Sequence, residues 1–268
     1  MGRLRGEAFV ECLVYLLADP LVREDARWAI VAHGDAGLET LAGYIDDHDL
    51  EIDVRWELPR TASLFPPRQA APVLMRHLRD ERDGMMEYRI IRALETLVSS
   101  TSDLRLDTGP LDDAARTTLH EACSLLDWRV SLERGAEAHP DRHTRAHSLL
   151  VRLLRDKERH AIDRLIRLIG LRNPREDFGR ITRGVTSTSR RARSSSAELL
   201  EFLVSPELRA GVMAIIDDAD DATRLGGVSS FHPPAAHDYE AVLQQLLEQP
   251  SASLRTLSVA QTPLPATA

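Results

Sequence analysis

The segments ARWAI (residues 26–30) and VRWEL (residues 54–58) share one pattern, in which arginine and tryptophan lie between apolar residues. The segment YRII (residues 88–91) echoes both around its arginine, with tyrosine before Arg89 and isoleucine after it. The three arginines, Arg27, Arg55 and Arg89, stand 28 and then 34 residues apart. Such self-similarity is typical of stacked helical hairpins, each of which needs neighbours to bury its apolar side. The sequence therefore predicts an all-α fold, an α-solenoid of helical hairpins.

Apolar residues at helical spacing extend this pattern in both directions along the chain. We predict one domain over residues 1–268, with a long-helix insertion at about 103–172 and a mobile loop at about 217–238. Within the insertion, His139-Pro140-Asp141 marks a turn, and Asp141 is the expected N-cap of the second long helix. The helices that we predict span residues 21–32, 38–45, 70–78, 111–132, 145–171, 175–185, 192–204, 206–216, 239–247 and 254–259.

Composition restricts the class of protein. Hydrophobic residues make up 43% of the 268 residues and aromatic residues only 4%, a mixture that favours packed helices over strands. The net charge of −8 argues against nucleic acid as a partner. The most apolar stretch, residues 9–18, is short and interrupted by Glu11, so we expect no membrane insertion by this chain and no signal peptide. Two widely separated cysteines fit a reducing compartment, and we expect a cytoplasmic location.

Several helix starts resemble the aspartate-turn-valine-arginine pattern of HEAT repeats: DPLVR (residues 19–23) and, without the aspartate, PSASLR (residues 250–255). The runs VRWELPRT (residues 54–61) and LIRLIGL (residues 165–171) are similar to a narrower group. These are bacterial HEAT-repeat regions found as the soluble part of ATP/ADP-carrier-like membrane transporters. The resemblance implies an armadillo-type superhelix that is a cytosolic accessory region or a free-standing relative of one. It implies no transport or nucleotide-binding role for any residue here.

The repeated residues have structural interpretations. An arginine just inside a second helix can reach an acidic side chain or a carbonyl in the adjoining turn, so we expect Arg27, Arg55 and Arg89 to fix the register of the stack. Because Trp28 and Trp56 occupy equivalent positions, we expect both to pack between hairpins. Pro59 predicts a kink or a late helix start.

One group of residues is a candidate anion or partner contact. Five arginines surround the Ser/Thr-rich turn at residues 186–189: Arg180, Arg183, Arg190, Arg191 and Arg193. Arginines beside a helix N-terminus suit phosphate, so a phosphorylated partner, a nucleotide or an RNA backbone could bind there. The alternative is an ordinary solvated turn between two helices.

The histidines and the known catalytic motifs give little support for a metal or catalytic site. His143 and His147 would share a helix face and could bind zinc, but a solvated helix start is the favoured interpretation. The sequence has no GxSxG, P-loop, GxGxxG or HExxH motif, and its paired acids lie in or beside turns. We therefore predict no catalytic residue, no metal site and no cofactor.

The function that follows is that of a non-enzymatic scaffold or regulatory module, which presents the concave face of the solenoid to an unidentified protein partner. Two alternatives remain. The chain could be the cytosolic accessory region of a nucleotide-type membrane transporter. It could also be a HEAT-scaffold enzyme such as a pigment lyase or a DNA glycosylase, although the latter needs a basic groove that the acidic balance disfavours.

Overall fold

The computed structural model of the chain describes residues 2–101, 103–185, 187–233 and 238–261, with side chains from residue 9 onward. Over these ranges the chain is built from helices and contains no strand, which confirms the all-α prediction. The first part of the chain forms α1 (Gly2–Leu16), α2 (Arg23–Ala32), α3 (Asp35–Ile45), α4 (Ile52–Arg55), α5 (Leu58–Ala62), α6 (Pro67–Asp80) and α7 (Gly84–Ser100).

Two long helices follow, α8 (Thr108–Ala138) and α9 (Arg145–Arg172), joined through a short 3-10 turn at Pro140–Arg142. Both were predicted from the sequence. The remaining helices are α10 (Phe178–Val185), α11 (Arg190–Leu203), α12 (Pro206–Ile215), α13 (Asp221–Val228), α14 (Tyr239–Leu247) and α15 (Ala252–Gln261).

The chain forms two compact units. The first unit comprises Met1–Ala114 and Arg167–Glu176, and the second comprises Ala115–Ile166 and Asp177–Ala268. The core of the first unit includes the completely buried side chains of Ile30, Leu41 and Leu94. The core of the second unit includes Leu126, Leu154 and Val212, which are also completely buried.

In the first unit, close backbone contact sets the turn between α2 and α3. Gly34, at the turn, has a φ of 57°, a conformation that glycine adopts without steric cost. A Cβ atom at Gly37 would lie 2.3 Å from the carbonyl oxygen of Ile30, so only glycine allows the two helices to approach this closely. Further along, α4 ends at Arg55 and α5 begins at Leu58 with Pro59 in its first turn, which is the late start expected from this proline.

Helix caps explain several boundaries that the composition left open. The Asp220 side chain accepts a hydrogen bond from the amide of Thr223 and begins α13, in which Leu225 and Val228 are buried. A mobile loop was expected over residues 217–238, and this expectation is wrong for residues 221–228; residues 234–237 lie outside the described residues.

The cap of α9 also differs from the prediction. Thr144, rather than the expected Asp141, accepts a hydrogen bond from the amide of His147 at 3.0 Å and caps α9.

Arginine-to-carbonyl hydrogen bonds recur at the beginning of helices. In the second unit, the fourth residue of α11, α12, α13 and α15 is an arginine that donates to a backbone carbonyl just before its own helix. The four pairs are Arg193 with Ser187, Arg209 with Val204, Arg224 with Ile215 and Arg255 with Gln249. In the first unit, Arg23 donates to Leu17 at 2.6 Å and Arg55 donates to Ile45 at 2.9 Å. The contact predicted for the repeated arginines is confirmed for Arg55. Arg89 instead donates to the carbonyl of Trp56, 33 residues away in sequence, and Arg27 pairs with the carboxylates of Glu24 and Glu57.

Candidate functional site

The five arginines predicted as an anion contact lie on two packed helices of the second unit. Arg180 and Arg183 lie on α10, whereas Arg190, Arg191 and Arg193 form the first turn of α11. Ser189 caps α11 by accepting from the amide of Ala192. Arg180, Arg183, Arg190 and Arg191 are exposed.

Arg193 already has partners within the chain. Its Nη1 donates to the carbonyl of Ser187 at 2.7 Å and its Nη2 pairs with Asp218. The Nε of Arg183 donates to the carbonyl of Gly179 in its own helix. These contacts give Arg193 a structural role, and anion binding by the other four arginines stays a prediction.

A different cluster, in the first unit, is centred on the carboxylate of Glu57. Glu57 is 8% exposed and follows Trp56 in the short link between α4 and α5. Arg27 pairs with its Oε2, while Arg23 and Arg89 reach its Oε1 at 3.4 and 3.7 Å. Three guanidinium groups from α2 and α7 therefore converge on one buried carboxylate.

The exposed edge of this cluster is formed by Glu24 and Arg60. The Oε1 atom of Glu24 pairs with Nη1 of Arg27 and lies 3.3 Å from Nη2 of Arg60. The side chains of Glu24 and Arg60 are 59% and 66% exposed, whereas that of Arg27 is completely buried. A single solvent-accessible carboxylate thus bridges the buried arginine and an exposed one.

Three buried donors of the cluster have no hydrogen-bond acceptor among the described side chains and backbone: Nε of Arg27, Nε of Arg89 and Nε1 of Trp56. The guanidinium of Arg89 stacks over the Trp56 ring at 5.3 Å and donates to the Trp56 carbonyl at 2.9 Å. Burial, together with the nearby charge of Arg60, lowers the pKa of Arg27 below its ordinary value. The cluster therefore has more donors and more positive charge than its own carboxylates satisfy.

The two tryptophans at equivalent repeat positions have different surroundings. Trp56 is partly buried beneath Arg89, as expected for a residue that packs between hairpins. Trp28 is 60% exposed, so the packing expected of it is wrong. The residue two positions after the arginine also differs between the two segments: Glu57 stands where the first segment has Ala29. That substitution is the sequence signal that could have located the cluster.

Large apolar side chains are exposed on α1, on α2 and in the link between them. They are Phe9, Leu16, Leu21, Val22 and Trp28, and we refer to them as the α1–α2 apolar surface. Phe9 and Leu16 are seven residues apart and share a helix face. The Phe9 ring lies 5.8 Å from the ring of His33 at the end of α2, which places this face of α1 beside α2.

The predicted histidine pair lies in the second unit. The rings of His143 and His147 are edge-to-face at 5.7 Å, and Nδ1 of His147 lies 3.0 Å from the hydroxyl of Tyr239. Arg142 stacks over the Tyr239 ring at 4.5 Å. Burial lowers the pKa of His147. Within the described ranges, no three His, Cys, Asp or Glu side chains are placed to hold a metal ion.

An acidic groove of about 410 Å³ lies on the first unit between α1 and α3. Burial and the neighbouring Tyr15 raise the pKa of Tyr44, on its wall, to about 12. The residues that line the groove are Glu11, Ala36, Glu39, Thr40, Gly43, Tyr44 and Asp47.

No protein-family model, curated protein or solved structure matches the chain. Among the described residues, none of the helices combines the length and the apolar character needed to cross a bilayer.

Proposed function

We propose that this chain is a HEAT-like α-solenoid that works without catalysis, in the cytoplasm, as a scaffold or regulatory module for a protein partner. The α1–α2 apolar surface is the observation that carries the proposal. Leu21 is 90% exposed and Trp28 is 60% exposed, and both lie on one helical hairpin. Soluble monomers rarely expose clustered large apolar side chains, and such patches mark interaction sites.

Tryptophan is the residue type that most often dominates the energy of a protein interface, because it buries a large rigid area on binding. Trp28 lies four residues after Glu24, and therefore on the same side of α2 as the exposed edge formed by Glu24 and Arg60. An apolar centre beside exposed charges matches the usual arrangement of an interface, with a dry core and a polar rim.

The recurring arginine-to-carbonyl bonds support the repeat architecture. They occur at the same position in four helices of the second unit and join each helix to the end of the preceding segment. Equivalent contacts at equivalent positions are what repeated helical pairs require for a constant packing geometry.

Affinity purification with mass spectrometry tests the proposal when two matched variants accompany the wild-type chain. The test variant carries Leu21→Ser and Trp28→Ser, and the control carries Leu199→Ser and Phe202→Ser, two exposed apolar residues of α11. We expect a protein that is retained by the wild type and the control and lost by the test variant. With the purified partner, the test variant should bind at least about tenfold more weakly.

An identical set of captured proteins for all three chains would contradict the proposal. So would a wild-type dimer that the test variant converts to a monomer in light scattering, because the α1–α2 apolar surface would then bind a second copy of this chain.

A further inference from the structure

The Glu57-centred cluster is unbalanced in charge. Among the described residues, the four guanidinium groups of Arg23, Arg27, Arg60 and Arg89 pair with two carboxylates, those of Glu24 and Glu57. The charged groups that act most on Arg27 are these same neighbours, and Arg60 acts against its charge. Placing a guanidinium away from water with an excess of like charge is costly unless further negative charge compensates it.

The cluster also lacks acceptors. Arg27 is completely buried, and its Nε has no hydrogen-bond partner in the part of the chain that the structure describes. The same holds for the buried Nε of Arg89 and Nε1 of Trp56. A buried donor without an acceptor loses the hydrogen bond that it makes to water in the unfolded chain. An anion with several oxygen atoms would both compensate the excess positive charge and accept hydrogen bonds from these donors.

The exposed edge gives such an anion a way in. The Glu24 carboxylate binds Arg27 and Arg60, and its side chain is 59% exposed, so it can turn into solvent without disturbing the core. An entering anion would replace it between the two guanidinium groups. Arginine recognises phosphate through paired N–H donors, and a phosphate group supplies more acceptor oxygens than a carboxylate.

We propose that Arg23, Arg27, Arg60, Arg89 and Trp56 form a binding site for a dianionic phosphate group. Once Glu24 has turned into solvent, Glu57 leaves three of the four guanidinium charges uncompensated, and two negative charges offset two of them. The site lies in the first unit and is separate from the five arginines around residues 186–189. It goes beyond the proposed scaffold function, because it assigns a ligand chemistry that protein binding through the α1–α2 apolar surface does not require.

Isothermal titration calorimetry of the full chain with sodium phosphate tests the proposal, at pH 8 and constant ionic strength set with sodium chloride. We expect saturable binding by the wild type. Arg60→Ala should weaken it about tenfold, the loss of one hydrogen bond to a charged group. Glu24→Gln removes the competing carboxylate and should tighten binding by up to about fivefold, the equivalent of an exposed ion pair.

Arg68→Ala is the matched control. Arg68 is also exposed, also pairs with one carboxylate, that of Asp103, and belongs to the same unit. It should bind phosphate like the wild type. Circular dichroism of each variant verifies that the helices are intact. Titration with O-phosphoserine distinguishes the source of the group: tighter binding than inorganic phosphate supports a phosphorylated side chain, and weaker binding supports the free ion.

Two results would overturn the proposal. One is a phosphate titration of the wild type that is indistinguishable from sodium chloride at equal ionic strength. The other is an equal loss of binding in Arg60→Ala and Arg68→Ala, because the response would then depend on the total charge of the chain and not on this site.

Discussion

The Nε atom of Arg129 lies 3.1 Å from Oε2 of Glu158, and both side chains are almost completely buried in the second unit. Arg129 on α8 also binds the carboxylate of Asp221 on α13, and Arg224 donates to Glu158 at 2.7 Å. The hydrogen bond from Arg129 lowers the pKa of Asp221. Four charged groups from three helices thus satisfy one another inside the unit.

Glu158→Gln is expected to destabilise the second unit. The substitution keeps the shape of the side chain but leaves Arg129 and Arg224 with one charge fewer between them. Breaking a buried ion pair from one side costs about 3–5 kcal/mol. Urea unfolding followed by circular dichroism measures the loss. Asp156→Asn, at a half-buried carboxylate on the same helix that pairs with the exposed Arg159, should change the unfolding free energy by less than about 1 kcal/mol. Equal losses would show that the buried network adds nothing specific.

Arg55→Lys tests the arginine-to-carbonyl bonds. Arg55 is 5% exposed, donates through Nε to the carbonyl of Ile45 and through Nη2 to Glu81 at 2.6 Å. The lysine ammonium is a single point of charge and cannot replace both donors of the planar guanidinium. We expect a loss of about 1–3 kcal/mol in unfolding free energy, measured by chemical denaturation. Arg79→Lys, at an exposed position, should leave the unfolding free energy unchanged. An equally unchanged value for Arg55→Lys would show that the arginine-to-carbonyl bonds do not contribute to the stability of the fold.

Gly184→Ala tests the packing of α10 against α11. A Cβ atom at Gly184 would lie 1.8 Å from Oγ and 2.9 Å from Cβ of Ser196, so α11 must move to admit it. We expect a destabilisation of about 1–3 kcal/mol, the usual cost of overpacking. At Gly226 on α13 the added atom meets nothing within 4 Å, and Gly226→Ala should stabilise the protein by up to about 1 kcal/mol. Thermal unfolding of both variants separates steric clash from helix propensity.

Stability is expected to fall as the pH drops below about 6.5, the ordinary value for histidine. Burial lowers the pKa of His147 beside Tyr239, and burial with the charge of His232 lowers that of His120, which stacks on Phe231 at 4.2 Å. A histidine that is held neutral in the folded state binds its proton more readily when unfolded. Its contribution is therefore complete above the unfolded pKa and is lost below it.

Unfolding free energies measured between pH 8 and pH 5.5 check this expectation. His147→Gln should lose part of the pH dependence over that window. An unchanged slope would exclude His147 as its source. His160, which is exposed on the same helix, gives the control variant His160→Gln.

The sequence predicted the helices well where their ends are marked by proline or where their apolar stripe is long, as in α9 and α12. It missed α13, because Gly226 and Gly227 in an acidic segment resemble a loop. That helix is stabilised by the Asp220 cap and by burial of Leu225 and Val228. Burial of these two residues depends on neighbours that are distant in the chain. The same limit explains why equivalent positions did not give Trp28 and Trp56 equal burial. Trp56 is covered by Arg89 on α7, 33 residues further along the chain, and the residues around each tryptophan do not predict such a contact.

The candidate phosphate site was visible only in part. Arg27 and Arg89 were recognisable as members of the repeated pattern. That both contact Glu57 depends on how α2 and α7 pack around the α4–α5 link. The five arginines around residues 186–189 were conspicuous because they are close in sequence. Sequence proximity says nothing about burial, and it is the burial of Arg27 that makes its missing acceptor costly.

The arginine-to-carbonyl bonds of the second unit close over only five to nine residues of chain. Loops this short close at low entropic cost, and contacts between near neighbours in sequence speed folding. Each of these helix starts is therefore stabilised by a hydrogen bond between residues close in sequence. Duplication or deletion of a helix pair during evolution would leave the corresponding hydrogen bonds of the pairs on either side intact.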